Sequence, residues 1–383
     1  MFFQSIQSVM YDVIIVGGGL TGLECARKLI AAGESVLLLE SKSKIGGRLQ
    51  TMQHKVKGYQ YQFESGGVRF LPTHYRFHKL IQESGYSYQD YITIKPNAQR
   101  WIQEKWMTSS EFKKIGEKIH SFAKQQSKLF LVSHSLQQLL DKMPVLDRKE
   151  SMIFLQATGY PHINNIMAQE GINIINSNFI NLSEYYLFKP GLTSLLEKNF
   201  QNIQKKGVEI KKNQTVISIL MHNHTESGII YIIKTHTGKT FATNRIILAI
   251  PPQSIKHISI KIPNFPLEKL HHSFKNSIQS VPLCRYFCIY SPTDSWHQSL
   301  SRQLVTDNQI QRMYVMGNGL IQYYTSGKRA LNMIKMSPSE RNKIIQKELS
   351  LIYPEYNITL PIWSRIFYWP HGIHMWKKNT DIN

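Results

Sequence analysis

Cysteine, acidic residues and long apolar runs are scarce in this sequence, and each shortage excludes a class of protein. Three cysteines in 383 residues, at positions 25, 284 and 288, cannot build the disulfide framework of a small secreted domain, and their spacing is not that of zinc ligands. No apolar run reaches the roughly 18 residues that a membrane-spanning helix needs. The first ten residues contain no lysine or arginine, unlike a secretory signal peptide. We therefore expect a soluble, intracellular, cytoplasmic protein without a bound metal.

Acidic residues number 25 against 46 lysines and arginines, which gives a formal net charge of +21. Such a field attracts polyanions, acidic membranes and anionic substrates. The basic residues are nevertheless spread along the chain. There is no basic tail, and arginines do not alternate with aromatic residues as they do in proteins that bind single-stranded nucleic acids. We expect no specific nucleic-acid partner. With 42% hydrophobic and 19% charged residues, the chain has the composition of an ordinary globular protein.

The first fifty residues contain the strongest pattern, in which a strand, a glycine motif, a helix and a second strand follow one another directly. Residues 11–16 read YDVIIV, a β-branched run typical of a strand buried on both faces. The motif GGGLTG follows at 17–22, and apolar residues continue on one helical face until a stop at Gly33. Residues 36–39 predict the second strand, with Glu40 at its carboxyl end. The pattern predicts a Rossmann-like βαβ unit.

Each part of this unit has a physical task in dinucleotide binding. Gly17 permits the tight turn, Gly19 lets a pyrophosphate approach the backbone, and Gly22 lets the helix pack closely on the strand. The phosphate would face the amides at the helix N-terminus, where the helix dipole favours anions. Glu40 follows Gly22 by 18 residues, close to the roughly 20-residue spacing of an acid that binds the ribose. We predict that a dinucleotide binds here.

Two further glycine pairs favour a flavin over a nicotinamide. Residues 40–51 read ESKSKIGGRLQT, and residues 63–70 read FESGGVRF. On these residues the sequence resembles the flavin-containing amine oxidase superfamily, whose members continue from GxGxxG through E-x(5)-GGR-x-x-T to an acidic residue followed by glycines. The resemblance implies FAD, with Arg48 near the diphosphate and the backbone of Gly66 and Gly67 against the isoalloxazine ring. Ile373 lies about where monoamine oxidases have their flavin-linked cysteine, so the FAD should be noncovalent.

The resemblance extends to the domain organisation. Strand patterns resume near residue 207, and Val216 matches the valine that meets the adenine in this family. The expected fold class is α/β, with a Rossmann-like FAD-binding domain formed by residues 10–80 and 205–262. Residues 81–204, largely helical from residue 73 onward, and residues 263–383 would form a mixed α+β substrate domain. The implied cofactor-binding residues are Gly17, Gly19, Leu20, Thr21, Gly22, Glu40, Gly47, Arg48, Gly66, Gly67, Val68, Arg69 and Val216.

Candidate substrate residues follow from the same resemblance. Arg285 lies in a predicted strand, at the position where many members have a lysine that holds a water near the flavin. It is therefore the catalytic candidate. The alternative is that Arg285 is an ordinary strand residue that pairs at the surface. Arg69 matches the arginine that grips the substrate carboxylate in L-amino-acid oxidases, with a contact to FAD or to a neighbouring acid as the alternative. In the aromatic stretch 363–376, the candidate wall residues are Tyr368, Trp369, His374 and Trp376, for which core packing is the alternative.

The resemblance implies an FAD-dependent oxidase that acts on CH–NH bonds. Hydride would pass from an amine, an L-amino acid included, to the flavin; the imine would be hydrolysed and O₂ reduced to H₂O₂. The chain also resembles amine-oxidase homologues of large DNA viruses, which adds a virion-associated location as an alternative. Family members continue beyond the position of Asn383 with a further FAD-binding segment, which we expect to be missing. An inactive FAD-fold protein, or a desaturase-like or protoporphyrinogen oxidase-like flavoenzyme, therefore stays open, as does the oligomeric state.

Overall fold

The computed structural model describes residues 10–224, 228–263, 266, 269 and 276–380, so the prediction about the first ten residues lies outside it except at Met10. The chain divides into two compact units. Unit 1 comprises residues 1–54, 62–92 and 186–274, and unit 2 comprises residues 55–61, 93–185 and 275–383. Within the described ranges, no helix combines the length and the apolar composition needed to cross a bilayer.

The described strands, in chain order, are Met10–Val16 (β1), Val36–Leu39 (β2), Thr51–Val56 (β3), Tyr59–Glu64 (β4), Arg69–Phe70 (β5), Tyr91–Ile94 (β6), Ala98–Ile102 (β7), Lys105–Met107 (β8), Tyr185–Phe188 (β9), Glu209–Lys211 (β10), Val216–His224 (β11), Gly228–Thr235 (β12), Thr240–Leu248 (β13), Ser259–Lys261 (β14), Ile278–Ile289 (β15), Gln303–Thr306 (β16), Arg312–Gly317 (β17), Leu320–Ser326 (β18) and Trp363–Trp376 (β19). The described α-helices are Leu20–Ala31 (α1), Tyr75–Glu83 (α2), Ser109–Lys124 (α3), Lys128–Ser133 (α4), Leu136–Leu140 (α5), Val145–Ala157 (α6), Ala168–Ile175 (α7), Leu192–Lys205 (α8), Pro252–Ile255 (α9), Lys328–Lys335 (α10) and Pro338–Ile352 (α11).

Unit 1 is built on a seven-stranded sheet in the order β10-β2-β1-β13-β12-β11-β14. Its centre is parallel, because β1 pairs in parallel with both β2 and β13. The side chains of β1 alternate between two apolar clusters, with Val13 and Ile15 on one face and Ile14 and Val16 on the other. This burial on both faces explains why β1 and β2 read as continuous apolar runs. The predicted βαβ unit is therefore present.

The chain re-enters unit 1 at residue 186, earlier than the predicted residue 205. The reason is α8, whose Leu196 and Ile203 join the apolar cluster that contains Leu23 and Ala26 of α1. The largely helical prediction for residues 73–204 is wrong at β6, β7, β8 and β9. Strand β7 pairs with β16, about two hundred residues later in the chain, so no local pattern identifies it as a strand.

Unit 2 is built on a second seven-stranded sheet in the order β19-β15-β18-β17-β16-β7-β8. One face of this sheet packs into an apolar cluster that includes Tyr286 and Tyr323 of the sheet, Met333 of α10 and Leu349 of α11. Helices α3 to α7 form a second cluster, centred on side chains such as Phe154. The predicted fold class, a Rossmann-like α/β domain with a discontinuous α+β partner, is confirmed.

Candidate functional site

The glycine motif forms a turn that admits no side chain at two positions. Gly17 has a φ of +110°, and a Cβ placed there would lie 2.6 Å from the carbonyl oxygen of Ala249. A Cβ on Gly22 would lie 1.9 Å from the carbonyl oxygen of Gly17. Helix α1 therefore begins in direct contact with the turn that leaves β1, a contact that only glycine at position 22 permits.

The N-terminus of α1 is free to receive an anion. Gly19 occupies the N-cap position without a side-chain hydrogen bond, and the first turn contains no acidic residue. A Cβ on Gly19 would meet no atom closer than 3.8 Å, the nearest being the Cα of Gly47. Leu20 is half-buried and Thr21 is exposed. The first N–H groups of this twelve-residue helix have no partner within the helix, and together with the helix dipole they favour an anion at this accessible end.

Glu40 is held at the carboxyl end of β2 by three hydrogen bonds. Its carboxylate is buried and accepts from the Gly18 N–H at 2.7 Å, the Lys42 N–H at 2.8 Å and the Ser41 hydroxyl at 3.1 Å. Two of these donors bind Oε1 and only one binds Oε2. Since a carboxylate has about four acceptor positions, capacity for a sugar hydroxyl remains. The glycine turn is thereby tied to the acid that sequence analysis assigned to the ribose.

Val216 lies near this end of the site. The backbone N–H of Gln214 donates to the Glu40 carbonyl at 2.8 Å, which brings the chain before β11 against the end of β2. Val216 opens β11, and its side chain is buried in the cluster that also contains Val16 and Leu39. Position 216 thus lies beside Glu40 through backbone contacts that no local sequence pattern shows.

The later glycine pairs meet the first one. The Gly46 N–H donates to the Gly18 carbonyl at 2.9 Å, and the Gly67 N–H donates to the Arg48 carbonyl at 2.8 Å. A Cβ on Gly67 would lie 2.7 Å from Cδ2 of Leu49. Gly66 is buried, while Gly47, Arg48 and Gly67 are exposed. The three glycine-rich segments therefore form one continuous backbone surface that carries an exposed guanidinium.

Val68 and Arg69 extend this surface. Both are half-buried, and Arg69 pairs with Leu187 at the start of the short strand β5. The next residue, Phe70, is buried in edge-on contact with Phe77 and other rings, which fixes the backbone of β5. Arg69 is thus held in place by its neighbours, although its predicted contact with a carboxylate stays a prediction.

These residues fit a dinucleotide cofactor. They provide open helix amides and the Arg48 guanidinium for phosphate, a carboxylate with spare acceptor capacity for ribose, and a glycine-rich backbone beside the N-terminus of α1. Among the described residues, no group of three or more histidine, cysteine, aspartate or glutamate side chains is placed to hold a metal ion.

Unit 2 contains a row of arginines on one face of its sheet. The strand register places Arg285 opposite Tyr324, Tyr324 opposite Arg312, Arg312 opposite Val305, and Val305 opposite Arg100. Residues directly opposite one another project from the same face, so the three arginines share the face that is turned away from the cluster around Tyr286. We call this surface, defined by Arg100, Arg285 and Arg312, the arginine face.

Arg312 occupies the centre of the row. It is buried, and its Nη1 donates to the hydroxyl groups of Tyr160 at 2.9 Å and Tyr314 at 3.0 Å. Its Nε is buried without a hydrogen-bond partner among the described residues. Among those residues, no Asp or Glu forms an ion pair with Arg312 or Arg100. Burial and the charge of Arg312 lower the pKa of Arg100 to about 10, so both guanidinium groups stay charged at neutral pH.

The predicted substrate residues are divided between the two faces. Arg285 is buried on the arginine face, where its Nη1 lies 3.3 Å from Oε1 of Gln322. Trp369 pairs with Leu283 and shares this face. Tyr368 pairs with Cys284 and packs against the cluster on the opposite face, and its role as a wall residue stays a prediction.

The remaining two residues lie near the end of β19. His374 pairs with Ser280, and Trp376 pairs with Ile278 and is 39% exposed. The Trp376 carbonyl accepts from the Met167 N–H at 3.0 Å, so the main chain here joins β19 to the helices of unit 2. Two open grooves of unit 2, about 570 and 370 Å³ in volume, are lined by none of the predicted substrate residues.

Arg312, Tyr160 and Tyr314 were not among the predicted site residues. A signal was present at residues 312–315, because polar residues alternate with apolar ones in RMYV, as in strands with one polar face. The alternation identifies a polar face, but only the strand pairing brings it next to Arg285. Tyr160 lies between α6 and the short helix that begins at Pro161, and no local sequence pattern identifies it.

Comparison with known proteins agrees with this architecture. A family model described as flavin containing amine oxidoreductase matches residues 20–376. Among curated proteins, a probable flavin-containing monoamine oxidase A of Dictyostelium discoideum is 41% identical over 78 residues, which cover 20% of this chain and 16% of that protein. The match thus spans less than a fifth of that relative.

Two solved structures share the fold along most of the chain. Wild-type putrescine oxidase bound to putrescine superposes with a TM-score of 0.71 at 18% identity, covering 94% of this chain and 84% of that one. Cyclohexylamine oxidase from Brevibacterium oxydans IH-35A superposes with a TM-score of 0.73 at 14% identity, covering 97% and 89%. At such identities the likeness concerns the fold.

Proposed function

The chain belongs to the flavin-containing amine oxidoreductase family and has FAD as its cofactor, and on this premise we propose that it is an oxidase for amines that carry a carboxylate. The observation that supports cofactor binding most directly is the meeting of three glycine-rich segments around the N-terminus of α1. The observation that supports an anionic substrate is the arginine face, whose buried guanidinium groups have no carboxylate partner at Arg100 and Arg312 within the described residues.

Unit 1 would hold the cofactor through the residues described above. The α1 amides and Arg48 would bind the diphosphate, Glu40 would accept from the ribose, and Val216 would lie beside the adenine. The backbone of Gly66 and Gly67, which brings no side chain of its own, would lie against the flat ring. When bound, FAD supplies the two-electron redox chemistry, while the protein supplies binding, orientation and electrostatics.

The proposed reaction is an oxidative deamination. The amine loses a hydride from its α-carbon and a proton from its nitrogen, and the resulting imine is hydrolysed by water to a carbonyl compound and ammonia or a smaller amine. O₂ takes up the two electrons and two protons as H₂O₂. Arg285 is a fixed cation, because a guanidinium does not release its proton at neutral pH. We propose that it orients polar atoms electrostatically and does not act as a base.

The arginine face would select the substrate by charge. Burying a guanidinium without an anion is unfavourable, and a carboxylate there would supply both charge neutralisation and paired hydrogen bonds. The Arg312 Nε and the hydroxyl groups of Tyr160 and Tyr314 are donors suited to carboxylate oxygens. The same positive field would disfavour a diamine, whose second ammonium group would lie among like charges.

Visible spectroscopy of the purified protein tests the redox proposal. We expect flavin absorbance near 450 nm that bleaches without oxygen when a carboxylated amine is added, and that returns with H₂O₂ when air is admitted. A colourless protein that cannot be reconstituted with FAD would contradict it. A yellow protein that no amine bleaches would favour the inactive-homologue alternative.

Replacement of Arg312 tests the substrate proposal separately. Arg312→Met keeps a long apolar side chain and removes the charge, so kcat/KM for a carboxylated amine should fall about a hundredfold, as expected for a lost charge-assisted pair. The value for an uncharged amine of similar size should change less than about threefold. Arg302→Met, at an exposed position, is the matched control. Equal losses with both substrates would overturn the proposed selectivity and leave amine oxidation intact.

A further inference from the structure

Three aliphatic side chains project from α4 and α6 of unit 2, two helices that are linked by the contact of Lys142, just before α6, with the Phe130 ring of α4. Leu129 of α4 is 79% exposed, and Val145 and Leu146 at the start of α6 are 64% and 77% exposed. They are three of the six most exposed large apolar side chains in the described part of the chain. We call these three residues the α4–α6 tip. Isolated exposed apolar residues are common on protein surfaces, but a local group exposed to this degree marks an interaction site.

The local structure holds the tip in place. Ser127 caps α4 by accepting from the Phe130 N–H at 3.1 Å, and Leu131 of the same helix is buried. The Lys142 ammonium lies 4.4 Å from the centre of the Phe130 ring, which joins the turn before α6 to α4. Pro144 caps α6, so Val145 and Leu146 stand in its first turn. The exposed residues therefore belong to ordered helix ends.

Basic residues surround the tip. Residues 118–150 contain six basic residues, namely Lys118, Lys124, Lys128, Lys142, Arg148 and Lys149, and three acids, namely Asp141, Asp147 and Glu150. Lys118 pairs with both Asp147 at 3.0 Å and Glu150 at 2.8 Å, so basic charge remains in excess in this segment. Lys378 joins the basic group, because its Nζ lies 3.3 Å from Oε1 of Gln138 in α5. A small aliphatic projection within a basic surround complements an anionic lipid surface.

We propose that the α4–α6 tip inserts into the surface of membranes that contain anionic phospholipids, with the nearby lysines against the headgroups. Aliphatic side chains enter the boundary between headgroups and acyl chains, and the basic residues add an attraction that salt weakens. A second copy of the chain is a poorer occupant, because stable protein interfaces bury more than about 1,200 Å², and three side chains provide far less.

Vesicle co-sedimentation of the full chain tests this proposal. We expect binding to phosphatidylcholine vesicles that contain about 30% phosphatidylserine, with little binding to phosphatidylcholine alone. The double variant Leu129→Glu/Leu146→Glu should bind the anionic vesicles at least tenfold more weakly. The variant Lys142→Gln/Lys149→Gln should reduce both the binding and its salt dependence.

Leu351→Glu is the matched control, because Leu351 of α11 is 65% exposed and lies outside the tip. It should bind vesicles like the unchanged protein. Circular dichroism melts should show that all the variants are folded, since the changed side chains are exposed. Absence of anionic-vesicle binding, or an equal loss in Leu351→Glu, would overturn the proposal. So would a dimer, seen by light scattering, that the double variant at the tip dissociates.

Discussion

Gly22 is the residue at which a single methyl group should have the largest effect. In Gly22→Ala the new Cβ would lie 1.9 Å from the Gly17 carbonyl oxygen. Either α1 moves away from the turn or the turn opens, and both displace the helix amides from the diphosphate position. We expect the variant to retain no FAD and to lose more than about 3 kcal/mol of unfolding free energy. The ratio of flavin to protein absorbance and a denaturant titration measure the two effects.

Gly33→Ala provides the comparison for that variant. Gly33 has a φ of +84°, and a Cβ there would meet no atom within 4 Å. The substitution therefore adds only backbone strain, about 1 kcal/mol, at the end of the same helix. It should keep its flavin. If Gly33→Ala also loses FAD, general instability of α1, and not the contact with Gly17, explains the result at position 22.

His162 predicts a pH dependence of stability. Burial lowers its pKa from 6.5 to about 4, and its Nδ1 lies 3.2 Å from the Ser326 hydroxyl. Between these two pKa values His162 is protonated in the unfolded chain and neutral in the folded chain. The unfolding free energy therefore falls as the pH is lowered from 6.5 toward 4. From pH 7 to pH 5 this group should cost about 2 kcal/mol of unfolding free energy.

His162→Asn should abolish that part of the pH dependence. Denaturant titrations at pH 7 and pH 5 measure the difference, with His257→Asn as the control because His257 is exposed. The control should keep the full slope. An unchanged slope in His162→Asn would show that other groups cause the loss of stability in acid.

At the scale of elements, β19 offers a test of which sheet face serves function. Tyr368 packs into the apolar cluster on one face, whereas Trp369 lies on the arginine face. Tyr368→Ala should lower the unfolding free energy by about 2 kcal/mol, with little change in the KM of the flavin-reducing amine. Trp369→Ala should raise that KM severalfold, because it removes an aromatic surface from the proposed substrate face. If Tyr368→Ala raises the KM and Trp369→Ala does not, the substrate contacts the face that carries Tyr368, and the proposed role of the arginine face is wrong.

The elements that the sequence predicted well are those whose pattern is local. The β1–α1–β2 unit was predicted within a residue or two, because buried strands, a glycine turn and an amphipathic helix each leave a signature within about a dozen residues. The strands of residues 216–250 were found for the same reason. By contrast, α8 was placed in the wrong domain, and β6 to β9 were missed, because their assignment depends on partners far away in the chain.

The same distinction applies to the candidate site. The glycines and Glu40 could be predicted because a tight backbone turn, a bound phosphate and a ribose each require a particular residue type at a fixed local spacing. The arginine face could not, since it arises from the register of five strands spread between residues 98 and 326. Aromatic density does not show which face of a strand a ring occupies, so the sequence could not show that Tyr368 and Trp369 lie on opposite faces of β19.

For the whole molecule, cofactor binding should stabilise the fold. Its contacts come from several parts of unit 1, so unfolding of that unit must release the ligand. With FAD at a hundred times its dissociation constant, the unfolding free energy should rise by about 2.7 kcal/mol. Hydrogen exchange should slow most at residues 17–23, 40–48 and 64–69. Protection confined to unit 2, or none, would contradict the proposed location of the cofactor.

The parallel pairing of β1 with β13 also has a consequence for biosynthesis. Val16 of β1 pairs with Leu248 of β13, and the Ala249 carbonyl packs against Gly17. Strand β1 therefore gains β13 as its neighbour only after some two hundred further residues have been translated. Parallel pairing over such a separation is slow to form. When β1 emerges from the ribosome, β2 can pair with it soon afterwards, but β13 has not yet been synthesised. The flavin can therefore bind only after most of the polypeptide has been made.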